Sequence, residues 1–161
     1  MTPIRKISLG PSATQMERTA DGVIRLRSAT RLGAYPVKIT DRLAHFAKTQ
    51  PDRVLIGQRD ATGEWRTITY ARMLDLVRRV GQALLSRPLS AERPIAILSG
   101  ADLDHAVLGL AAMHAGIPYS PVSPPYSLVS TDYGKLLHVL GLLTPGLIFA
   151  ADGTAFAKAI D

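Results

Sequence analysis

The residue types with chemical capacity gather in the second half of the chain. Ser123, Tyr126 and Ser127 place three hydroxyls on a stretch where Pro118, Pro121, Pro124 and Pro125 fall within eight residues. Proline fixes φ and gives up its N–H, so this stretch reads as a stiff, extended connection. It follows a β-prone piece, Ile117–Val122, and open α/β sheets bind ligands in the loops beyond their strands' carboxyl ends. The plainer alternative is a rigid turn with solvated hydroxyls. Asp102-Leu-Asp104-His105 supplies metal-ligand types, but on a helix the two carboxylates point about 200° apart and do not converge. As first-turn acids they instead complement the dipole of a helix beginning there. His45, His105, His114 and His138 are single helical residues without a histidine partner four positions away, which suits flanks and core edges better than catalysis. Lys135 follows the prolines by one helical turn, where it meets either an anion or solvent. Trp65 and Tyr70 read as packing residues.

Several chemistries are excluded. The sequence contains no G-x-x-x-x-G-K-[ST] phosphate loop, G-x-G-x-x-G fingerprint, G-x-S-x-G elbow or H-E-x-x-H helix. With no cysteine there is no disulfide, thiolate metal site or cysteine nucleophile, as fits a reducing compartment. The start, Met1-Thr-Pro-Ile-Arg-Lys6, lacks the apolar core of a signal peptide, and the apolar run Ala106–Ala115 is too short to span a bilayer. A soluble, cytoplasmic chain without a membrane partner is expected.

The elements that must position these residues follow from pattern. Residues 1–35 are polar and weakly patterned and read as an irregular arm, with a turn at Asp21-Gly22 and a short strand over Val23–Arg27. Thr40 is expected to cap a helix, Asp41–Lys48. Val54–Arg59 and Trp65–Thr69 form a hairpin around Asp60–Glu64, and Thr69 caps the next helix. That helix, Tyr70–Ser86, carries Met73, Leu74, Val77, Val80, Gly81, Leu84 and Leu85 on one stripe. From Pro94 the pattern alternates between apolar strands and helices. Strand Ile95–Leu98 leads to helix Asp102–Ala115, stopped by Gly116. Strand Ile117–Val122 leads to helix Thr131–Leu143, capped by Ser130, and strand Leu147–Ala150 leads to helix Thr154–Ile160. Such alternation predicts an α/β fold: a parallel β-α-β-α-β core with right-handed crossovers, preceded by the hairpin.

Charge is uneven, with 17 Lys/Arg against 8 Asp/Glu before Pro94 and 2 against 5 from there on. A basic half can neutralise phosphates, and a stand-alone basic binding or interaction module is one reading of this chain. Nucleic acid is nevertheless not the expected partner. The arginines are spread over loops and a helix flank without interleaved aromatics, which suits a solvated face or one covered by further protein.

From Asp41 onward the order of pieces resembles the amino-terminal part of the adenylate-forming acyl-CoA synthetases. The shared features are Pro51-Asp-Arg53, Trp65-Arg-Thr-Ile-Thr-Tyr70, Arg93-Pro-Ile-Ala-Ile-Leu98, Ala115-Gly116 and Pro118-Tyr-Ser-Pro-Val-Ser-Pro124. Leu32-Gly-Ala-Tyr-Pro36, Ile97-Leu-Ser-Gly100, Tyr126-Ser-Leu-Val-Ser130, Lys135-Leu136 and Leu143-Thr-Pro-Gly146 are most similar to feruloyl-CoA synthetases. Arg72 and Ala101 depart from the family pattern, which favours an acid and an asparagine there. The resemblance implies that residues 36–161 are a partial, truncated AMP-binding domain. It also implies an enzyme that joins a small aromatic carboxylate to AMP with ATP and Mg²⁺, then passes the acyl group to coenzyme A. The phosphate loop, metal ligand, ribose-binding acid and mobile-domain lysine of that family lie downstream of the region matched here. By resemblance, then, no catalytic, cofactor-binding or metal-ligating residue falls within this chain. It would be a scaffold, inactive alone, whose partner is the remainder of the synthetase.

Overall fold

The computed structural model describes residues 10–160, which form two units separated between Tyr35 and Pro36. In the first unit, β1 (Thr14–Arg18) and β2 (Ile24–Ser28) pair antiparallel. The strand expected over 23–27 is therefore present, one residue later, and it has a partner. Calling the whole segment irregular missed β1, because Thr14-Gln-Met-Glu-Arg18 carries one apolar residue in five. The turn between the strands needs Gly22, whose φ of 85° lies in the left-handed region. Thr19 fastens it by accepting from the Gly22 N–H and donating its own N–H to Val23 O. Pairing places Met16 opposite Leu26, and both side chains are exposed.

In the second unit, α1 (Thr40–Thr49) precedes the hairpin of β3 (Val54–Arg59) and β4 (Trp65–Thr69), which leads directly into α2 (Tyr70–Leu85). Thr69 caps α2 as expected, its hydroxyl accepting from the Arg72 N–H at 3.3 Å. Thr40 does not cap α1. It is the first helical residue and is buried, with its hydroxyl 3.2 Å from His114 Nδ1. A distant partner thus satisfies the group that local reasoning assigned to the helix end.

The core is a three-stranded parallel sheet in the order β6-β5-β7, formed by β5 (Ile95–Leu98), β6 (Tyr119–Val122) and β7 (Leu147–Ala150). Central β5 is buried along its whole length, as four consecutive apolar residues require. Its alternate residues serve different faces. Ile95 and Ile97 pack on Leu84 of α2 and on Leu108, Ala111 and Ala112 of α3 (Leu103–Ala115). Leu98 packs with Val122, Leu136 of α5 (Gly134–Leu143) and Phe156 on the other face. A second cluster outside α3 joins Leu43, Met73, Val77 and Val107 to the apolar side of the β3–β4 hairpin.

Three boundaries move from their expected places. The αL residue Gly116 ends α3, and the Ile117 N–H reaches back to Ala112 O at 2.9 Å, so Ile117 completes the helix stop and β6 starts at Tyr119. The proline-rich stretch is not wholly extended. Pro121 lies in β6, whereas Pro125 opens a single helical turn, α4 (Pro125–Leu128), because its fixed φ suits a first helical position. Helix α5 begins three residues later than expected. Ser130 Oγ accepts from the Tyr133 N–H and Asp132 Oδ1 from the Gly134 N–H, so these side chains close a local turn instead of capping a helix at Thr131. Asp152 likewise accepts from the Thr154 and Ala155 N–H groups, delaying α6 to Ala157–Ile160. Among the described residues no helix is long and apolar enough to cross a membrane.

Candidate functional site

Helix α3, which follows β5, covers one face of the sheet, while α5, which follows β6, covers the other. Where the connections of adjacent strands diverge to opposite faces, a crevice opens at their carboxyl ends. Here that crevice is an open cleft of about 410 Å³, lined by Ser99, Gly100, Ala101 and His105 after β5 and by Pro121, Val122, Ser123 and Pro124 at β6. Its size falls in the range of small-molecule sites.

Two side chains organise the β5 side. Ser99 is only 4% exposed, and its Oγ lies 2.7 Å from His105 Nδ1; the same ring nitrogen is 3.2 Å from Gly100 O. A carbonyl only accepts. A proton on Nδ1 is therefore shared by Gly100 O and Ser99 Oγ, while a bare Nδ1 accepts from the serine O–H. Either way the ring is held, and Nε2 has no protein partner among the described residues. The turn itself is fixed by Asp102, whose carboxylate caps α3 at the His105 N–H (2.7 Å), and by Gln58 of β3, whose Oε1 accepts from the Leu103 N–H (3.1 Å). Asp102 is thus the N-cap, and Asp104 alone is the first-turn acid.

Sequence reasoning passed over the Ser99–His105 pair and Gln58. A serine just past a strand and a histidine at the third position of the following helix could have signalled the pair, because helical side chains lean back toward the amino terminus. Gln58 acts across 45 positions and left no local trace. The pair is a serine beside a base, but Asp102 binds the histidine's backbone N–H and not its ring, and the buried serine hydroxyl is turned onto the imidazole. The arrangement fixes a turn more readily than it activates a nucleophile.

The hydroxyls singled out in the proline-rich stretch scatter. Ser123 lines the cleft, Tyr126 packs against the second face, and Ser127 is buried with no hydrogen-bond partner for its Oγ among the described residues. Lys135 lies outside the cleft, its ammonium 5.4 Å over the Tyr126 ring. Nearby Asp132 is held below the ordinary carboxylate range chiefly by the Gly134 N–H, then by the Ser130 hydroxyl, with Lys135 a smaller influence. His45 stacks edge-on against Phe46. Several arginines are engaged locally: Arg72 and Arg79 pair with Asp75, and Arg59 lies 4.5 Å over the Trp65 ring.

The fold is thus α/β with a switch-point cleft. The AMP-binding enzyme family matches residues 43–158, and the chain belongs to that family. Solved structures share the fold. VinN, in complex with L-aspartate, superposes with a TM-score of 0.63 at 22% identity over 79% of this chain and 30% of its own. IdnL1 does so at 0.61 and 22% identity over 74% and 23%. The fatty acyl-adenylate ligase from L. pneumophila, in complex with acyl adenylate and pyrophosphate, does so at 0.62 and 16% identity over 70% and 19%. The chain therefore spans between about a fifth and a third of the length of these structures. No curated protein matches.

The cleft residues do not fit a nucleoside triphosphate with magnesium. The lining carries no lysine or arginine to meet phosphates and no carboxylate to hold the metal, and no group of three or more potential ligands clusters among the described residues.

Proposed function

We propose that this chain forms the amino-terminal scaffold of an acid–thiol ligase that activates a hydroxycinnamate-type carboxylate as its acyl-adenylate. ATP, Mg²⁺ and coenzyme A would be bound by the remainder of the synthetase. The observation that carries the reading is membership of the AMP-binding family over residues 43–158, combined with a cleft that lacks phosphate- and metal-binding groups. The feruloyl-type segments Tyr126–Ser130 and Leu143–Gly146 support the aromatic substrate.

ATP–pyrophosphate exchange with ferulate is the test. The chain alone is expected to stay at the blank rate, and a longer protein carrying it at the amino terminus is expected to exchange with hydroxycinnamates in preference to aliphatic or amino acids. Exchange by the 161 residues alone would sink the scaffold reading. A longer protein preferring aliphatic acids would sink the aromatic one.

A further inference from the structure

Two adjoining cavities lie along one side of α2 and share no residue with the switch-point cleft. In the first, of about 390 Å³, Ala44, Ala47 and Lys48 of α1 face Leu74 and Arg78 of α2. In the second, of about 310 Å³, Gly81, Gln82 and Leu85 of α2 face His114 at the end of α3. Arg78 lines both. The contact between Thr40 and His114 sets the start of α1 against the end of α3, so the two cavities form one groove with α2 as its continuous wall. The lining residues of that wall run from Ala71 to Leu85, roughly 21 Å of helix. Leu74 lies along this length and Leu85, 61% exposed, closes it.

Charge along the groove selects an occupant. Among the described residues Asp75 is the one carboxylate that lines it, and Arg72 (2.7 Å) and Arg79 (3.9 Å) both pair with that carboxylate. Lys48 and Arg78 are exposed and form no ion pair among the described residues. Lys48, Arg72, Arg78 and Arg79 around a single acid leave the rim strongly positive. Such a rim belongs at a surface, because an apolar layer of the same domain laid over it would strip water from charges without partners. We propose that this groove docks an acidic amphipathic helix of a partner protein. In helix-in-groove recognition, apolar residues at helical spacing supply the anchors, and charges beside them set the choice of partner. Here the anchors lie over Ala44, Ala47 and Gly81, whose small size leaves the groove open, and reach Leu74 and Leu85. Carboxylates on the flanks of the same helix meet Lys48 and Arg78.

The probe is a labelled synthetic peptide of about 15 residues, with leucines on one helical stripe and glutamates elsewhere. Its fluorescence anisotropy is followed against this chain and against a longer synthetase carrying it, at roughly physiological salt. Saturable binding to both is expected. Arg78→Glu should weaken it by about tenfold. Ala47→Phe, which fills the floor without changing charge, should weaken it as well. Arg66→Glu makes the same charge change outside both cavities and should leave binding little altered. Unchanged circular dichroism shows that each variant is folded. Absence of saturable binding, equal binding of a scrambled peptide of the same composition, or equal loss in Arg66→Glu would each overturn the groove. Binding to the chain but not to the longer synthetase would make the synthetase itself the cover. An Arg78-dependent dimer in light scattering would make it a second copy, and a single-stranded DNA bound as tightly with the same Arg78 dependence would make it a phosphate surface. Each of these three overturns the acidic helix.

Discussion

The two faces of the central sheet are covered by helices of similar apolarity but very different completeness. On the first face Met73, Val77, Ala111 and Ala112 are fully buried, and α1 and the β3–β4 hairpin form a further layer outside them. On the second, α5 buries only Leu136 completely, while Leu137 and Leu142 of the same helix are 64% and 73% exposed. A helix apolar on all sides is built to be enclosed. The first face encloses its helices within this chain, and the second does not. Helix termini differ in the same sense. Asp102 and Gly116 bracket α3 at no conformational cost, whereas α5 lies between two non-glycine residues in the left-handed region, Tyr133 (φ 52°) and Thr144 (φ 44°).

The largest effect that tests this contrast is a pair of truncations. Met73→Ala should destabilise by about 2–5 kcal/mol, because it opens a cavity at a fully buried position. Leu137→Ala removes a side chain of similar size and should change stability by less than about 0.5 kcal/mol. Urea midpoints at constant slope compare the two. Equal losses would mean that the second face is as well packed as the first.

The next effect concerns the ends of α5. Thr144→Gly relieves a β-branched residue from a conformation that costs roughly 1–2 kcal/mol. It also forfeits the Thr144 hydroxyl's hydrogen bond to Glu92 O, and glycine's extra chain entropy. A net gain of about 0.5 kcal/mol is expected by urea denaturation. Gly116→Ala, at the corresponding end of α3, should lose about 1 kcal/mol, since Gly116 has φ 74°. A loss at both positions would erase the distinction between strained and relaxed helix ends.

The same contrast governs what could be read from sequence. The first face was legible because its signals are local and repeated: the stripe from Met73 to Leu84, the Thr69 cap and the glycine stop. Family membership was legible because motifs such as Trp65–Tyr70 and Pro118–Pro124 survive as short strings. The Ser99–His105 contact was not, because both residues have ordinary local roles and meet only when the β5–α3 turn folds. Thr40 misled for a related reason. A threonine at a helix start looks like a cap, and only the distant His114 shows why it is buried. Around α5, Ser130 and Asp132 carried real capping chemistry, but they closed a turn upstream of the helix instead of starting it at Thr131.

The smallest expected effect lies in that turn and sharpens the comparison between the two helix starts. Asp132 takes the Gly134 N–H at 3.1 Å and the Ser130 O–H at 2.9 Å, and both contacts favour its ionised form. Its folded pKa is lowered, so its contribution is present above the ordinary aspartate value near about 3.9 and is lost as pH falls through the folded value. Asp60, Asp21 and Glu92 are lowered in the same way by their own local bonds, so the wild type loses stability in acid for several reasons at once. Comparison with Asp132→Ala isolates one of them. The variant should be less stable than wild type at pH 7, and the gap should shrink steadily below about pH 4. Because the carboxylate is exposed, the gap is small at any pH and calls for replicate urea titrations. A gap that stays constant into acid would mean that Asp132 holds the α5 start by shape alone and not by charge.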